Sequence, residues 1–204
     1  MTLPNQLTLL RILLTPVFMA LFFGNGPAPF LAFVVFTVAS LTDWYDGYAA
    51  RKFGFVSSWG RFMDPLADKI LISAGFLCFC ILGYFPAWIL ALILLRDVVI
   101  TALRGYSMNR EKPLITSLLA RSKTFIQFVV LYFMFIYHLI IFYGFAEKIP
   151  QVIRFIERVR LIPALMASVM ILTLASGSLY LIGNRIHLKR LWMSIWKKTV
   201  PSDM

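Results

Sequence analysis

Charge is what this chain has least of. Only 14 per cent of its 204 residues are Asp, Glu, Lys or Arg, where a soluble domain carries about 25 per cent. Acids are scarcest, nine against twenty basic residues, which leaves a formal charge of +11. There are two histidines and two cysteines. Cys78 and Cys80 stand two apart in one apolar run, badly placed to bridge each other, and read as apolar filler. No disulfide framework and no cysteine-based metal site is expected. In place of charge stand hydrophobic residues, 60 per cent of the chain. That excludes a disordered chain, which needs low hydrophobicity and high charge. It also makes an ordinary water-soluble domain a poor fit, so the basic excess points to a membrane surface rather than to nucleic acid.

The charges leave long gaps. None occurs from Ile12 to Thr42, from Ile70 to Leu95, from Thr124 to Ala146, or from Leu161 to Asn184. A bilayer-spanning helix needs about 20 mostly apolar residues. The last two gaps hold one span each. The first two are broken by Gly24–Pro29 and Gly83–Pro86, turn-forming stretches that make each a helical hairpin. The pattern predicts an all-α integral membrane protein, one domain over 1–204. Its six transmembrane helices fall at about 8–23, 28–49, 64–82, 86–105, 122–143 and 163–182, with short N-terminal and C-terminal interfacial helical segments. The hairpin gaps are too short for two full spans. The second helix must therefore run into the charged stretch from Asp43, and the third must begin near Asp64. Amphipathic patterns at 147–160 and 185–198 suit helices lying on the membrane surface.

Lys and Arg set the orientation. With the N-terminus in the cytoplasm, the inner connections and the C-terminal tail carry thirteen basic residues, and the far side only Lys148, Arg154, Arg158 and Arg160. The expectation is both termini cytoplasmic, in a bacterial inner membrane. The first span lacks the basic start and small-residue cleavage site of a removable signal.

Four of the nine acids fall within 26 residues: Asp43, Asp46, Asp64 and Asp68. The first two are three apart and the second two four apart, so each pair shares one face of its helix. A short connection makes the two helix ends neighbours. Four carboxylates at a membrane boundary cannot all stay ionised uncompensated. A cation held by oxygens alone is hard, Mg²⁺ or Mn²⁺ for a phosphate reaction, and the lack of His or Cys argues against zinc. Between the pairs, Gly47 and Ala50 leave room for a bulky ligand, and Arg51 offers a forked cation suited to phosphate. The plainer alternative is that the acids pair with Arg51, Arg61 and Lys69. For two helical pairs it leaves four expensive acids without a task.

Written out, the segment is Asp43-x2-Asp46-Gly47-x2-Ala50-Arg51-x8-Gly60-x3-Asp64-x3-Asp68. It resembles, position for position, the signature of the CDP-alcohol phosphotransferases. The flanking Thr42–Lys52 and Met63–Lys69, and the opening Pro4-Asn5-x2-Thr8-x2-Arg11, look like the branch that makes phosphatidylglycerophosphate. The resemblance implies transfer of a phosphatidyl group from CDP-diacylglycerol to an alcohol, with CMP leaving. It implies two divalent ions, the first bound by Asp43, Asp46 and Asp64, the second with help from Asp68, which is also the candidate base. It implies a nucleotide site lined by Gly47, Ala50, Arg51 and Gly60, with Asn5 and Thr8 approaching it, and a homodimer. Thr8 also suits a cap of the first helix.

The acceptor is a separate reading. Asp97, Thr101 and Arg104 share a helical face, and Arg121 and Lys123 open the fifth span. Together Arg104, Arg121 and Lys123 suit a phosphate dianion, which favours glycerol 3-phosphate over a neutral acceptor. Lys123-Thr124 resembles the glycerophosphate branch, although Arg121 stands where Lys is common there. Each basic residue alone also reads as an anchor at the inner surface. The alternatives are the same chemistry with another acceptor, as in a cardiolipin or inositide synthase, and more remotely an intramembrane prenyltransferase or a cation transporter. His138, inside the fifth span, reads as a packing residue.

Overall fold

A computed structural model describes residues 3–53, 58–108 and 118–185, with side chains placed at 6–42, 63, 66–103 and 123–185. Every regular element among them is helical. In chain order these are α1 (Leu3–Phe22), α2 (Ala28–Phe53), α3 (Ser58–Ile81), α4 (Ala87–Met108) and α5 (Leu118–Phe142). A 3-10 turn (Phe145–Lys148), α6 (Pro150–Arg158) and α7 (Leu161–Gly183) follow.

The glycine-proline breaks do what their chemistry allows. After α3, Gly83 takes a left-handed φ of 77°. Its N–H donates to the Cys80 carbonyl at 2.9 Å, and the Tyr84 N–H to that of Phe79 at 3.1 Å. This is the double bond of a Schellman stop, and glycine enters that conformation without the penalty of a Cβ. Pro86 then opens the approach to α4, where a missing N–H costs nothing. Gly26 and Gly144 make the turns after α1 and α5 with φ of 60° and 73°.

Each of the six predicted apolar segments falls within a helix, in the expected order, and most differ by few residues at their ends. Two differ more. α3 begins at Ser58, six residues before Asp64, and α1 begins at Leu3. Counting apolar residues finds only the part of a helix that lipid requires, whereas the backbone ladder continues through the charged turns. Thr8 is therefore inside α1 and cannot cap it. Likewise, residues 3–7 belong to the same helix rather than to a separate interfacial segment. The predicted surface helix at 147–160 is resolved into the 3-10 turn and α6. There Ile153 is buried while Val152 and Phe155 face outward beside Arg154 and Arg158. The one expected at 185–198 lies outside the described residues from 186 onward.

Among the described residues, two stretches, Lys123–Phe142 and Leu161–Gly183, are long and apolar enough to cross a bilayer, and Gln6–Phe22 and Ala28–Thr42 are shorter apolar ones. The exterior is greasy. Leu13, Leu95, Val98, Phe125, Ile171 and Ile182 are each 60–70 % exposed. The interior, in turn, encloses Arg11, Asp97, Lys123 and Gln127. A surface of that kind is an aggregation hazard in water and a normal one in lipid.

α1 packs most closely on α2 and α3, and α7 on α4 and α5, with α3 and α5 in contact between the two groups. Around that contact sits an aromatic core. Phe135 of α5 meets Phe18, Phe22, Phe36 and Phe79 at centroid separations of 5.0–5.8 Å, mostly edge to face. Such pairs add about 0.5–1.5 kcal/mol each beyond burial. Gly75 lets α3 come close, since a Cβ there would meet Leu131 Cδ2 at 3.1 Å and Phe36 at 3.4 Å. His138 stacks on Phe22 and shares a hydrogen bond with the Tyr84 hydroxyl at 2.9 Å, a packing residue as expected.

Candidate active site

The four aspartates lie on two helices that the chain forces together. Asp43 and Asp46 are in α2, Asp64 and Asp68 in α3, and only residues 54–57 separate the helices. At about 3.5 Å per residue, that link keeps the two helix ends within roughly 18 Å, and α2 and α3 are in contact. Counted back from the Gly24–Pro27 turn at about 1.5 Å per residue, Thr8 on α1 and Asp43 on α2 stand about 21 and 22 Å up their helices. The buried Thr8 and the acids thus share one level of the bundle.

Of the predicted site residues, the structure places the side chains of Thr8, Asp68 and Lys123. Those of Asp43, Asp46, Asp64, Gly47, Ala50, Arg51, Gly60, Asn5, Arg104 and Arg121 lie outside the described residues, although their backbones lie in α1 to α5. Among the described residues there is no group of three metal-ligating side chains. The donor set itself is carboxylate oxygen throughout, and Asp68 presents an oxygen shielded from solvent. Those features suit Mg²⁺ or Mn²⁺.

Asp68 lines a cavity shared by three helices: Lys69 and Ser73 from α3, Asp97 from α4, and Lys123, Thr124 and Gln127 from α5. The void is small, about 20 Å³, room for one water. Its walls are charged, and their contacts are specific. The Lys123 ammonium donates to the Asp97 carboxylate, and Asp68 lines the same cavity. Arg96 forms a second ion pair with the same Asp97 oxygen at 2.9 Å. Its other terminal nitrogen donates to Ser176 Oγ on α7 at 2.8 Å. Lys69, next to Asp68, donates to the Thr101 hydroxyl and to the Asp97 carbonyl, the latter at 3.1 Å. The Thr101 hydroxyl in turn donates to that carbonyl at 2.6 Å.

Four helices are thereby tied through one residue, Asp97. The cost is considerable, because each buried ion carries a desolvation penalty of several kcal/mol. Asp97 and Lys123 are 8 % and 5 % exposed, so neither is hydrated enough to stand alone. Gly177 makes the arrangement possible: a Cβ at that position would lie 2.8 Å from Arg96 Nε.

Spacing along the chain placed Asp97 and Thr101 on one face, and α4 bears that out. It missed that Asp97 holds Lys123, that Lys69 reaches across to α4, and that Arg96 reaches α7. Adjacent Arg96 and Asp97 in an apolar helix were the available signal, since charges at that depth demand partners. A larger groove of about 570 Å³ lies at the other end of the bundle, beside Tyr84, Tyr137, Glu157 and Arg160. About 20 Å of α3 separates it from Asp68, and it holds none of the four aspartates.

Comparison with known proteins gives the same direction. The family model described as CDP-alcohol phosphatidyltransferase matches residues 1–196. A Bacillus subtilis (strain 168) protein named CDP-diacylglycerol–glycerol-3-phosphate 3-phosphatidyltransferase is 36% identical over 140 residues, 62% of this chain and 72% of that one. A Rickettsia bellii protein of the same name is 37% identical over 130 residues, 63% and 72% of the two chains. A Mycobacterium tuberculosis (H37Rv) protein named "Probable phosphatidylglycerophosphate synthase" is 40% identical over 133 residues, 63% of each chain.

Proposed function

The chain belongs to the CDP-alcohol phosphatidyltransferase family, and from that premise we propose that it transfers the phosphatidyl group of CDP-diacylglycerol to glycerol 3-phosphate, releasing CMP. The names of the relatives support the acceptor. One structural observation carries the reading further: Asp68 and Lys123, from α3 and α5, line one buried cavity. A carboxylate able to take a proton and an ammonium able to hold a phosphate are what a phosphorylated alcohol needs.

The residues divide the work. Asp43, Asp46, Asp64 and Asp68 would hold two Mg²⁺ or Mn²⁺ ions. Such ions would supply charge neutralisation at the departing CMP and polarisation of the attacked phosphorus. Gly47, Ala50, Arg51 and Gly60, with Asn5 and Thr8, line the CDP side. Arg104, Arg121 and Lys123 hold the acceptor phosphate. Asp68 accepts the proton of the attacking hydroxyl as the new O–P bond forms and the bond to CMP breaks, a contribution of about 10²–10⁴-fold for general-base catalysis.

Helices α1 to α5 and α7 are the six spans, with α6 at the surface. Both termini face the cytoplasm of a bacterial inner membrane, and the working unit is a homodimer. Membership in the family leaves prenyl transfer and cation transport without support. The test offers purified protein CDP-diacylglycerol with Mg²⁺ and, in turn, glycerol 3-phosphate, phosphatidylglycerol, inositol and inositol phosphate. CMP release with the first alone is the expected result, and release with another acceptor instead would reassign the substrate.

A further inference from the structure

Asp97 belongs to neither the acid pairs nor the basic set that holds the acceptor, yet more of the described polar contacts converge on it than on any other residue. Its carboxylate receives Lys123 and Arg96. Its carbonyl receives Lys69 and Thr101. Arg96 is itself braced by Ser176 and by the room left at Gly177. A flexible lysine at the mouth of a span would ordinarily extend toward the headgroups. Here it is 5 % exposed and turned inward, onto the wall of the cavity that Asp68 also lines. An ammonium has three donors. With Asp97 taking one, the others remain for oxygens on the cavity side.

We propose that Asp97 is a positioning residue for the acceptor: it holds the Lys123 ammonium, braced by Arg96, at the height of Asp68, so that an acceptor's phosphate is captured where its hydroxyl reaches the base. This rests on the assignment of Lys123 to the acceptor phosphate. The carboxylate does not touch substrate. Its charge is more than offset by its two cationic partners, so the cluster still attracts a phosphate dianion. The braced geometry also avoids the rotamer entropy that a free lysine would lose on binding.

The effect should fall on acceptor affinity. In the detergent-solubilised full chain, Asp97→Asn should raise the KM for glycerol 3-phosphate about tenfold or more, as for other residues that orient a ligand-holding group. The KM for CDP-diacylglycerol should stay within about twofold, and Asp97→Glu should recover part of the loss. In a Lys123→Gln background, Asp97→Asn should add little further, because it acts through the same ammonium. The upward shift in thermal midpoint that glycerol 3-phosphate gives the wild type should vanish in Asp97→Asn, a reading independent of turnover. A fall in kcat with both KM values unchanged, or effects that multiply in the double variant, would overturn the proposal. Where Asp97→Asn does not fold, Ser176→Ala removes only the brace on Arg96. A KM for glycerol 3-phosphate raised severalfold upholds the idea, and an unchanged one overturns it. Failure of the functional assignment is recognised separately, as wild-type protein that releases no CMP with glycerol 3-phosphate.

Discussion

Phe135 is met by the rings of Phe18, Phe22, Phe33, Phe36 and Phe79, from α1, α2 and α3. Around Asp97, the described side chains that donate to the carboxylate and the carbonyl are three cations and a hydroxyl, from α3, α4 and α5. The two regions lie in the same bundle and share helices α3 and α5. The aromatic region is stabilised by contact that hardly depends on direction and is hard to disturb by a small shift. The charged region pays desolvation for each member and returns it only while the geometry holds. The proposed function thus puts stability in one region and chemistry in the other. That is the division expected where a rigid scaffold must support a costly site.

The sharpest way to break the contrast is to exchange which property fails. Asp68→Asn should lower CMP formation by about 10²–10⁴-fold while leaving the melting of the solubilised protein nearly unchanged. Phe135→Ala should do the reverse, costing about 3–5 kcal/mol of stability with near-normal turnover per folded molecule. Parallel melting and turnover assays check both. If Asp68→Asn melts far below the wild type with normal specific activity, the acid is structural and the contrast is wrong. Next in size is Gly75→Ala, where the added methyl must displace Leu131 against Phe36; about 1–3 kcal/mol is expected for such overpacking. Gly177→Ala, by contrast, meets the flexible Arg96 rather than a packed ring. It should cost less stability and should raise the KM for glycerol 3-phosphate, so comparing the two glycines by melting and kinetics sharpens the boundary between the regions.

The smallest effect concerns the turn at the far end. Burial, reinforced by the nearby Tyr137, pushes the Tyr84 hydroxyl up to about 12 from 10.0. The neutral phenol is favoured in the folded chain. Its contribution is therefore complete below pH 10 and is lost as pH rises toward 12. Tyr84→Phe should flatten that part of the alkaline melting curve and lose about 1 kcal/mol at neutral pH with the His138 hydrogen bond. An unaltered curve would mean that the phenol is not buried as described.

The helices were legible because lipid imposes a length and glycine a turn. The charge-free gaps and Gly24, Gly83 and Pro86 fixed the hairpins to within a few residues. Where α1 and α3 started earlier than expected, the extra turns contained polar residues that hydropathy does not count as helix. That the acids stand on two consecutive helices was legible for a related reason: Asp43, Asp46, Asp64 and Asp68 are local in sequence, and the structure puts the first two in α2 and the last two in α3. Asp97 and Lys123 are 26 residues apart, on different helices. Whether they meet depends on the rotation of α4 against α5, which no local pattern encodes. The same holds for Arg96 and Ser176, 80 residues apart.

The central claim is that the acid-bearing end of the bundle is a metal-dependent site for moving a phosphatidyl group onto glycerol 3-phosphate. The most direct measurement follows CMP and lipid product together, in purified protein given CDP-diacylglycerol, glycerol 3-phosphate and Mg²⁺ or Mn²⁺, before and after chelation. The account predicts CMP and phosphatidylglycerophosphate in equal amounts, and neither once the divalent ion is removed. Equal yields with and without the ion, or CMP released with no lipid product, would contradict it.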